Sequence, residues 1–351
     1  MADVPAITVV ITTYNIESYV IDCVNSVLQN DFQDYEILLI DDCSTDNTFK
    51  ICEHMANSNE KIRAIQRKKN GGAGAARNLG LINARGKYIY FVDGDDLIST
   101  TALKILFEAA EKNNADVVHT SYWFVIDDED FKASNFNKKN IFHDVNPAAG
   151  FLQSDIFERI VNEWAKGETA LMIWLNFYRR DFLISNEIRF AEMIAEDMTF
   201  SLIDISFAEK YLKIPQAVYL HRVRQGSLVQ SKSKSHDRLF FELDSFLIST
   251  RYIEHYLKKL PTFSTDKYKL EEILIIWLQK FFNGYSEQFF NADGNLEIGY
   301  MEIIEEVLRK NFSKNIFFVK FLFINYNILR LQNKNMIDES NKLKEARGGG
   351  I

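Results

Sequence analysis

Cysteine is scarce, with three among 351 residues. Cys23, Cys43 and Cys52 form an odd, closely spaced set with no paired metal-ligand pattern, which argues against a secreted disulfide framework. Basic charge is also in deficit: 41 Lys and Arg stand against 49 Asp and Glu, a formal net charge of −8. Coating nucleic acid needs a basic surface, so that partner class is excluded. No apolar run reaches the roughly 20 residues of a membrane-spanning helix. The longest candidate, Ile316–Leu331, is broken by Lys320, Asn325, Asn327 and Arg330. The chain passes through Asp3 and Pro5 straight into Ile7–Ile11, so no signal peptide is expected and a cytoplasmic location is. Internal repeats and low-complexity tracts are missing too. What remains, 47% hydrophobic and 26% charged residues, is an ordinary globular composition.

The first third alternates two periodicities. Ile7–Ile11, Tyr35–Ile40, Ile62–Ile65, Lys87–Val92 and Ala115–His119 are short runs rich in Ile, Val and Tyr and read as strands. Between them, Tyr19–Gln29, Thr48–Ala56, Ala75–Asn83 and Ala102–Lys112 carry apolar residues at helical spacing. This alternation predicts an α/β fold with a mostly parallel sheet flanked by helices, and ligands at the carboxyl ends of its strands. Further on, Ala148–Val161 and Met198–Phe207 read as helices, Ala217–Leu220 as a strand, and Leu239–Leu260, Leu270–Phe282 and Tyr300–Leu308 as a C-terminal helical extension.

Every predicted strand end is polar or glycine-rich: Thr12-Thr13-Tyr14-Asn15, Asp41-Asp42, Arg67–Gly74 and Asp93-Gly94-Asp95-Asp96. Six of the 15 glycines fall between Gly71 and Gly94, where backbone must turn tightly or approach a ligand. Asp93–Asp96 suits a hard divalent cation, although Asp-Gly is also common turn chemistry. In Asp41–Thr48, Ser44, Thr45 and Asp46 are helix-capping residues, whereas the two leading acids are not so explained. A buried carboxylate there can accept from a uracil imide N–H or a ribose hydroxyl. The run Asn70–Asn78 opens a helix, and its Gly72-x-Gly74 core lacks the third glycine of a dinucleotide fingerprint, Arg77 standing in that place. Arg77 can pair with a rim carboxylate or with a phosphate.

Together, Thr12–Asn15, Asp41–Thr48, Asn70–Asn78 and Asp93–Asp96 resemble the N-terminal signature of family-2 glycosyltransferases, which have the GT-A fold. Trp174–Leu183, Phe190 and Ala195-Glu196-Asp197-Met198-x-Phe200 extend the resemblance, which covers roughly residues 7–227. It implies an inverting, metal-dependent and non-processive transfer of a sugar from a nucleotide-sugar, a UDP-sugar above all, to a hydroxyl of a bacterial surface glycan. By the same token the acceptor is a growing glycan, lipid-linked or protein-linked, and a homo-oligomer is left open. By this resemblance Thr12, Tyr14, Asn15, Asp41, Asp42, Asn70 and Arg77 contact the nucleotide, and Asp93 faces the ribose or the sugar. Asp95 ligates a divalent metal, Mn²⁺ or Mg²⁺. Glu196-Asp197 matches the family's Glu-Asp pair with Asp197 as general base. His221 stands near a position where an aromatic is common and is a second candidate metal ligand. Arg222, Arg224 and Ser227 are candidates for the diphosphate.

The expected organisation is a catalytic domain over 1–224, with a nucleotide-sugar half over about 1–120 and an acceptor half over about 121–224. A mobile loop at 225–238, a helical region at 239–347 and a loose tail at 348–351 follow. Between Arg309 and Arg347, nine Lys and Arg stand against three Asp and Glu around the apolar run Ile316–Ile324. Such a helix can lie peripherally on an anionic membrane, or pack on the catalytic domain or a sister subunit. A nucleotidyltransferase acting on sugar phosphates is the rival enzyme class, but no glycine-rich basic loop follows the first strand. A catalytically silent sugar-nucleotide-binding module is the other alternative, against which Asp95 and Asp197 speak.

Overall fold

The computed structural model describes residues 4–127, 141–144, 147, 149–192, 196–224 and 236–286. Ile and Val runs form β1 (Ile7–Thr13), β2 (Tyr35–Asp41), β3 (Ile62–Gln66) and β4 (Tyr88–Asp93), connected by α1 (Val20–Leu28), α2 (Thr48–Ser58) and α3 (Gly72–Asn83). They lie parallel in the order β3-β2-β1-β4. β2 is buried along its whole length and β1 almost so, as strands covered on both faces must be. α1 turns Val20, Cys23, Val24 and Val27 into this core, one helical stripe. The register aligns the strand ends: Thr13 lies beside Asp41, and Thr12 beside Asp93. The polar rim is therefore assembled by backbone pairing before any side chain chooses a partner.

The sheet continues through β9 (Asn176–Arg179), β6 (Val117–Asp127), β10 (Tyr211–Val223) and the two-residue β5 (Leu97–Ile98), with α4 (Ala102–Asn113) between β5 and β6. The sheet is mostly parallel, as expected, through β1–β4 and the long pair β6 and β10, with short antiparallel strands added to it. β6 and β10 are parallel, but β9 runs antiparallel between β4 and β6, and β7 (Ile141–His143) and β8 (Gly150–Phe151) pair antiparallel with β6 and β10. Alternation explains why β9 fits: Phe177 stacks on Tyr88 at 5.1 Å, while Tyr178 meets Phe91 edge-on at 6.0 Å.

Ala148–Val161 does not form the single expected helix. Gly150 has φ +138° and pairs with β10, α5 (Ile156–Arg159) starts only where Asp155 accepts from the Glu158 N–H at 2.9 Å, and a π-helical turn, Ile160–Ala165, follows. After α6 (Arg180–Ser185), α7 (Glu196–Phe207) begins at the two acids noted in the sequence. α8 (His236–Leu257) and α10 (Lys267–Ser286) fall where helices were expected, the short α9 (Pro261–Ser264) lies between them, and Tyr300–Leu308, Ser227 and residues 309–347 lie outside the described residues. Two compact units divide the chain: Met1–Ser231 with His255–Lys269, and Lys232–Glu254 with Leu270–Ile351. In the second, Ile273, Leu274, Trp277 and Leu278 are buried. Among the described residues, no helix is long and apolar enough to cross a membrane.

Candidate active site

Two aspartates at the end of β2 organise the first part of the rim. Asp41 is fully buried and accepts from Thr13 Oγ1 (3.2 Å), Ser44 N (2.9 Å), Ser44 Oγ (2.5 Å) and Gln66 Nε2 (3.1 Å). Asp42 accepts from the N–H groups of Gly71 (3.1 Å) and Gly72 (2.7 Å) and from the Arg67 guanidinium, while Asn70 Nδ2 donates to its backbone carbonyl at 3.3 Å. A carboxylate at the start of α3 is favoured by the helix dipole and the free N–H groups there. Gly72 needs to be glycine, with φ +82°, whereas a Cβ on Gly71 would meet only the guanidinium end of the Arg67 side chain.

Tyr14 is 44% exposed and Thr12 half-buried, with Thr12 Oγ1 3.5 Å from Asp93 Oδ1. Asn15, at φ 51°, instead fastens the loop after β2, accepting from the Thr45 N–H at 2.8 Å and donating its own to Ser44 Oγ at 3.0 Å. Thus Thr12 and Tyr14 are open on the rim. The carboxylates of Asp41 and Asp42 and the side chain of Asn15 are engaged in holding its loops.

α3 makes the second part. Gly74, Arg77 and Asn78 share a face at spacings of three and four, and that face docks on the chain leading into α7. A Cβ on Gly74 would come within 2.7 Å of the Ala191 carbonyl oxygen. Asn78 clamps Phe190, donating to its carbonyl and accepting from its N–H, both at 2.8 Å. Arg77, 3% exposed, reaches three acids: Nη2 donates to Asp93 Oδ1 at 2.9 Å, and Nη1 to Glu196 Oε1 at 3.2 Å and Asp197 Oδ1 at 2.6 Å. One guanidinium thus joins the end of β4 to the start of α7, and Asp197 lies 120 residues along the chain from Arg77 itself.

These charges reshape one another. Burial opposes the charge of Arg77, but Asp197, Asp93 and Glu196 outweigh it and hold the guanidinium more firmly protonated than usual. Burial, with the negative charges of Glu196 and Asp93, pushes Asp197 up to about 7 against the pull of Arg77. The Asp197 side chain keeps 32% of its exposure, so water tempers that desolvation. A carboxylate poised near neutrality, partly open and fixed by a neighbouring cation, can take a proton from a bound hydroxyl.

The third part centres on Asp96, to which the sequence reading gave no role of its own. It is buried and accepts from Tyr219 OH (2.7 Å) and the Arg222 N–H (2.8 Å), with His221 Nδ1 at 3.2 Å. Burial pushes its carboxyl up to about 6. Burial opposes a charge on His221, but its hydrogen bond with Asp96 and the nearby acids raise it above the ordinary value. Beside them, Arg224 Nε donates to Asp95 Oδ2 at 2.7 Å and Arg222 Nη2 to Asp22 Oδ2 at 3.3 Å. Both guanidinium carbons lie 5.2 Å from the Tyr19 ring centroid, a double cation–π contact. Arg67, Asn78, Asp96, Tyr19 and Asp22 are what sequence reasoning missed. Arg67, Asp96 and Asn78 lay inside stretches the sequence singled out, whereas Tyr19 and Asp22 carried no such signal.

Among the described residues, no three His, Cys, Asp or Glu side chains gather into a ready-made metal cage. A Mg²⁺ or Mn²⁺ ion completed by substrate phosphates does not need one. Asp95 is partly open, and His221, 41% exposed, has only Nδ1 committed to Asp96, so a carboxylate and the imidazole Nε2 are at hand. That donor set fits such an ion.

Residues 8–184 match the family model described as "Glycosyl transferase family 2". Among curated proteins, the chain is 29% identical over 231 residues to the uncharacterized glycosyltransferase EpsJ of Bacillus subtilis, covering 65% of this chain and 64% of that protein. It is 28% identical over 229 residues to glycosyltransferase GlyG of Streptococcus pneumoniae, covering 64% and 73%. The chain thus spans less than two thirds of the first of these relatives. A crystal structure of S. aureus TarS 1–349 in complex with UDP-GlcNAc superposes with a TM-score of 0.62 at 23% identity, over 86% of this chain and 80% of that one, which establishes the fold as GT-A. With the family match covering half of the sequence, the chain belongs to glycosyl transferase family 2.

Proposed function

We propose that the protein transfers a sugar from a UDP-sugar to a hydroxyl of a glycan acceptor, with inversion and one sugar at a time. The observation that carries this reading is Arg77, which holds the Asp93 carboxylate of the strand-end rim and the Glu196-Asp197 pair on one guanidinium. A base set beside a nucleotide rim is what attack on an anomeric carbon requires. The UDP-GlcNAc held by the structurally similar TarS supports the choice of donor.

In this reading the hydroxyl oxygen bonds to the anomeric carbon as Asp197 takes its proton. The bond from that carbon to the diphosphate oxygen breaks with its electron pair, and UDP leaves. Asp95 and His221 would hold a divalent ion, whose Lewis acidity offsets charge on the diphosphate. Arg224 places a further positive charge on the same rim, suited to the departing phosphates, and the buried Arg222 adds to the positive field behind it. Arg77 keeps the base oriented and Tyr14 lies open to a base or ribose. Synthesis of a bacterial surface glycan is the corresponding context.

The test uses the full chain with a panel of UDP-sugars, Mn²⁺ or Mg²⁺, and UDP release as the readout. Asp197→Asn is expected to lower turnover by about 10²–10⁴-fold, the usual worth of a general base, with UDP affinity changed by no more than a few-fold. Normal turnover in that variant would sink the assignment.

A further inference from the structure

β7 lies antiparallel along β6 and sets Phe142 opposite Trp123. The two rings stack at 6.2 Å between centroids with 20° between their planes. Trp123 then meets Trp174 edge-on at 6.0 Å, and Trp174 lies flat against Tyr219 at 4.2 Å and against His221 at 5.7 Å. The inner rings are buried, Trp123 at 9% and Trp174 at 6% exposure, whereas the Phe142 end is 50% exposed. At the other end Tyr219 and His221 both hold Asp96. This aromatic run therefore joins the candidate active site to an open phenylalanine face three ring contacts away.

A single exposed apolar side chain needs no explanation. Phe142 differs in its setting. It is backed by a nearly buried indole, and its stack is continuous with the candidate active site. A ring already fixed by stacking loses little further freedom when it binds. Aromatic faces carry partial negative charge, and the C–H faces of a pyranose ring present the complementary weakly positive hydrogens.

We propose that Phe142, backed by Trp123, is an acceptor subsite that takes the apolar face of a pyranose unit, so that the acceptor is an oligosaccharide chain rather than a single sugar. This rests on the glycosyl-transfer reading above. The buried indoles of Trp123 and Trp174 stand between Phe142 and His221, so Phe142 is assigned a unit further along the chain than the one presenting its hydroxyl to Asp197. The subsite sets acceptor choice and has no part in donor chemistry.

The test titrates chitopentaose, cellopentaose and maltopentaose, and the sugars N-acetylglucosamine and glucose, into the full chain with UDP and Mn²⁺ present, followed by calorimetry and tryptophan fluorescence. At least one pentasaccharide is expected to bind at least tenfold more tightly than its monosaccharide. Phe142→Ala should weaken that binding at least fivefold, and Phe142→Tyr, which keeps the ring, should retain it. UDP binding within twofold of the parent in both variants shows that the fold is intact. No pentasaccharide preference, equal binding by Phe142→Ala, or a Phe142-dependent dimer on size exclusion would each overturn the subsite. Failure of UDP-sugar turnover would instead strike the transfer reading itself.

Discussion

Between β1, β2 and β4 the buried layer is made of Ile7, Val9, Ile11, Ile37, Leu39, Tyr90 and Val92. Across the same sheet, between β6, β9 and β10, it holds charge. His119 Nδ1 donates to Asn176 Oδ1 (2.6 Å) and its Nε2 lies 3.0 Å from Asp144 Oδ2, whose other neighbour is Lys213 Nζ at 2.8 Å, with Glu163 3.6 Å from the same ammonium. Burial opposes the charge of Asp144, but His119 and Lys213 outweigh it and hold the carboxyl below its usual range. The parallel side holds Asp41, Asp42 and Asp93 at its rim, on hydroxyl, amide and backbone N–H donors and two guanidinium groups; the mixed side holds Asp144 and Glu163 inside, on His119 and Lys213. Apolar packing tolerates small losses, whereas a buried ionic network loses a whole charge at a time.

Lys213→Met breaks the network most severely. It leaves Asp144 and Glu163 without their shared ammonium, and stability in urea should fall by about 3–5 kcal/mol, the cost of leaving a buried charge uncompensated. A loss under 1 kcal/mol would mean that the two sides of the sheet do not differ as described.

The seam between the sides is probed by pH. Asp197 must be deprotonated to act, and it is raised to about 7, so turnover should climb as pH rises through 7 and fall about tenfold per unit below. Glu196 is one of the charges that raise it. Glu196→Gln should therefore move this acid limb to lower pH, by up to about one unit, since one unit is about 1.4 kcal/mol. An unmoved limb would show that the limb does not report Asp197, or that the pair is not coupled.

The parallel side was largely legible in the sequence, because its signal is local. Ile7–Ile11 and Tyr35–Ile40 each read as strands and extend by only two and one residues in the structure, and α1 and α2 fall where their stripes place them. The mixed side was not. β9 has only four residues, and its antiparallel insertion depends on partners about 60 to 90 residues away. β6 was expected to end at His119 and runs on to Asp127 because β10 continues beside it. The site divides in the same way. Asp93, Glu196, Asp197 and Arg77 were recognisable as motifs, but that Arg77 touches all three acids is a property of how α3 docks on Phe190 and Ala191, which no spacing within one motif reveals. Phe142 and Trp123 lay in no motif at all.

The mildest challenge falls on the apolar side. Ile37 is fully buried on β2, paired in register with Val9 on β1 and Ile62 on β3. Ile37→Val removes one methylene from this layer, which should cost about 1 kcal/mol in urea unfolding, the transfer loss plus a small cavity. Because Ile37 lies four residues before the end of β2, turnover and its acid limb should stay as in the parent. A cost like that of Lys213→Met would mean that the apolar layer is as unforgiving as the ionic one. A change in the acid limb would mean that the strand core, and not only the Arg77 contacts at its rim, sets the position of the base.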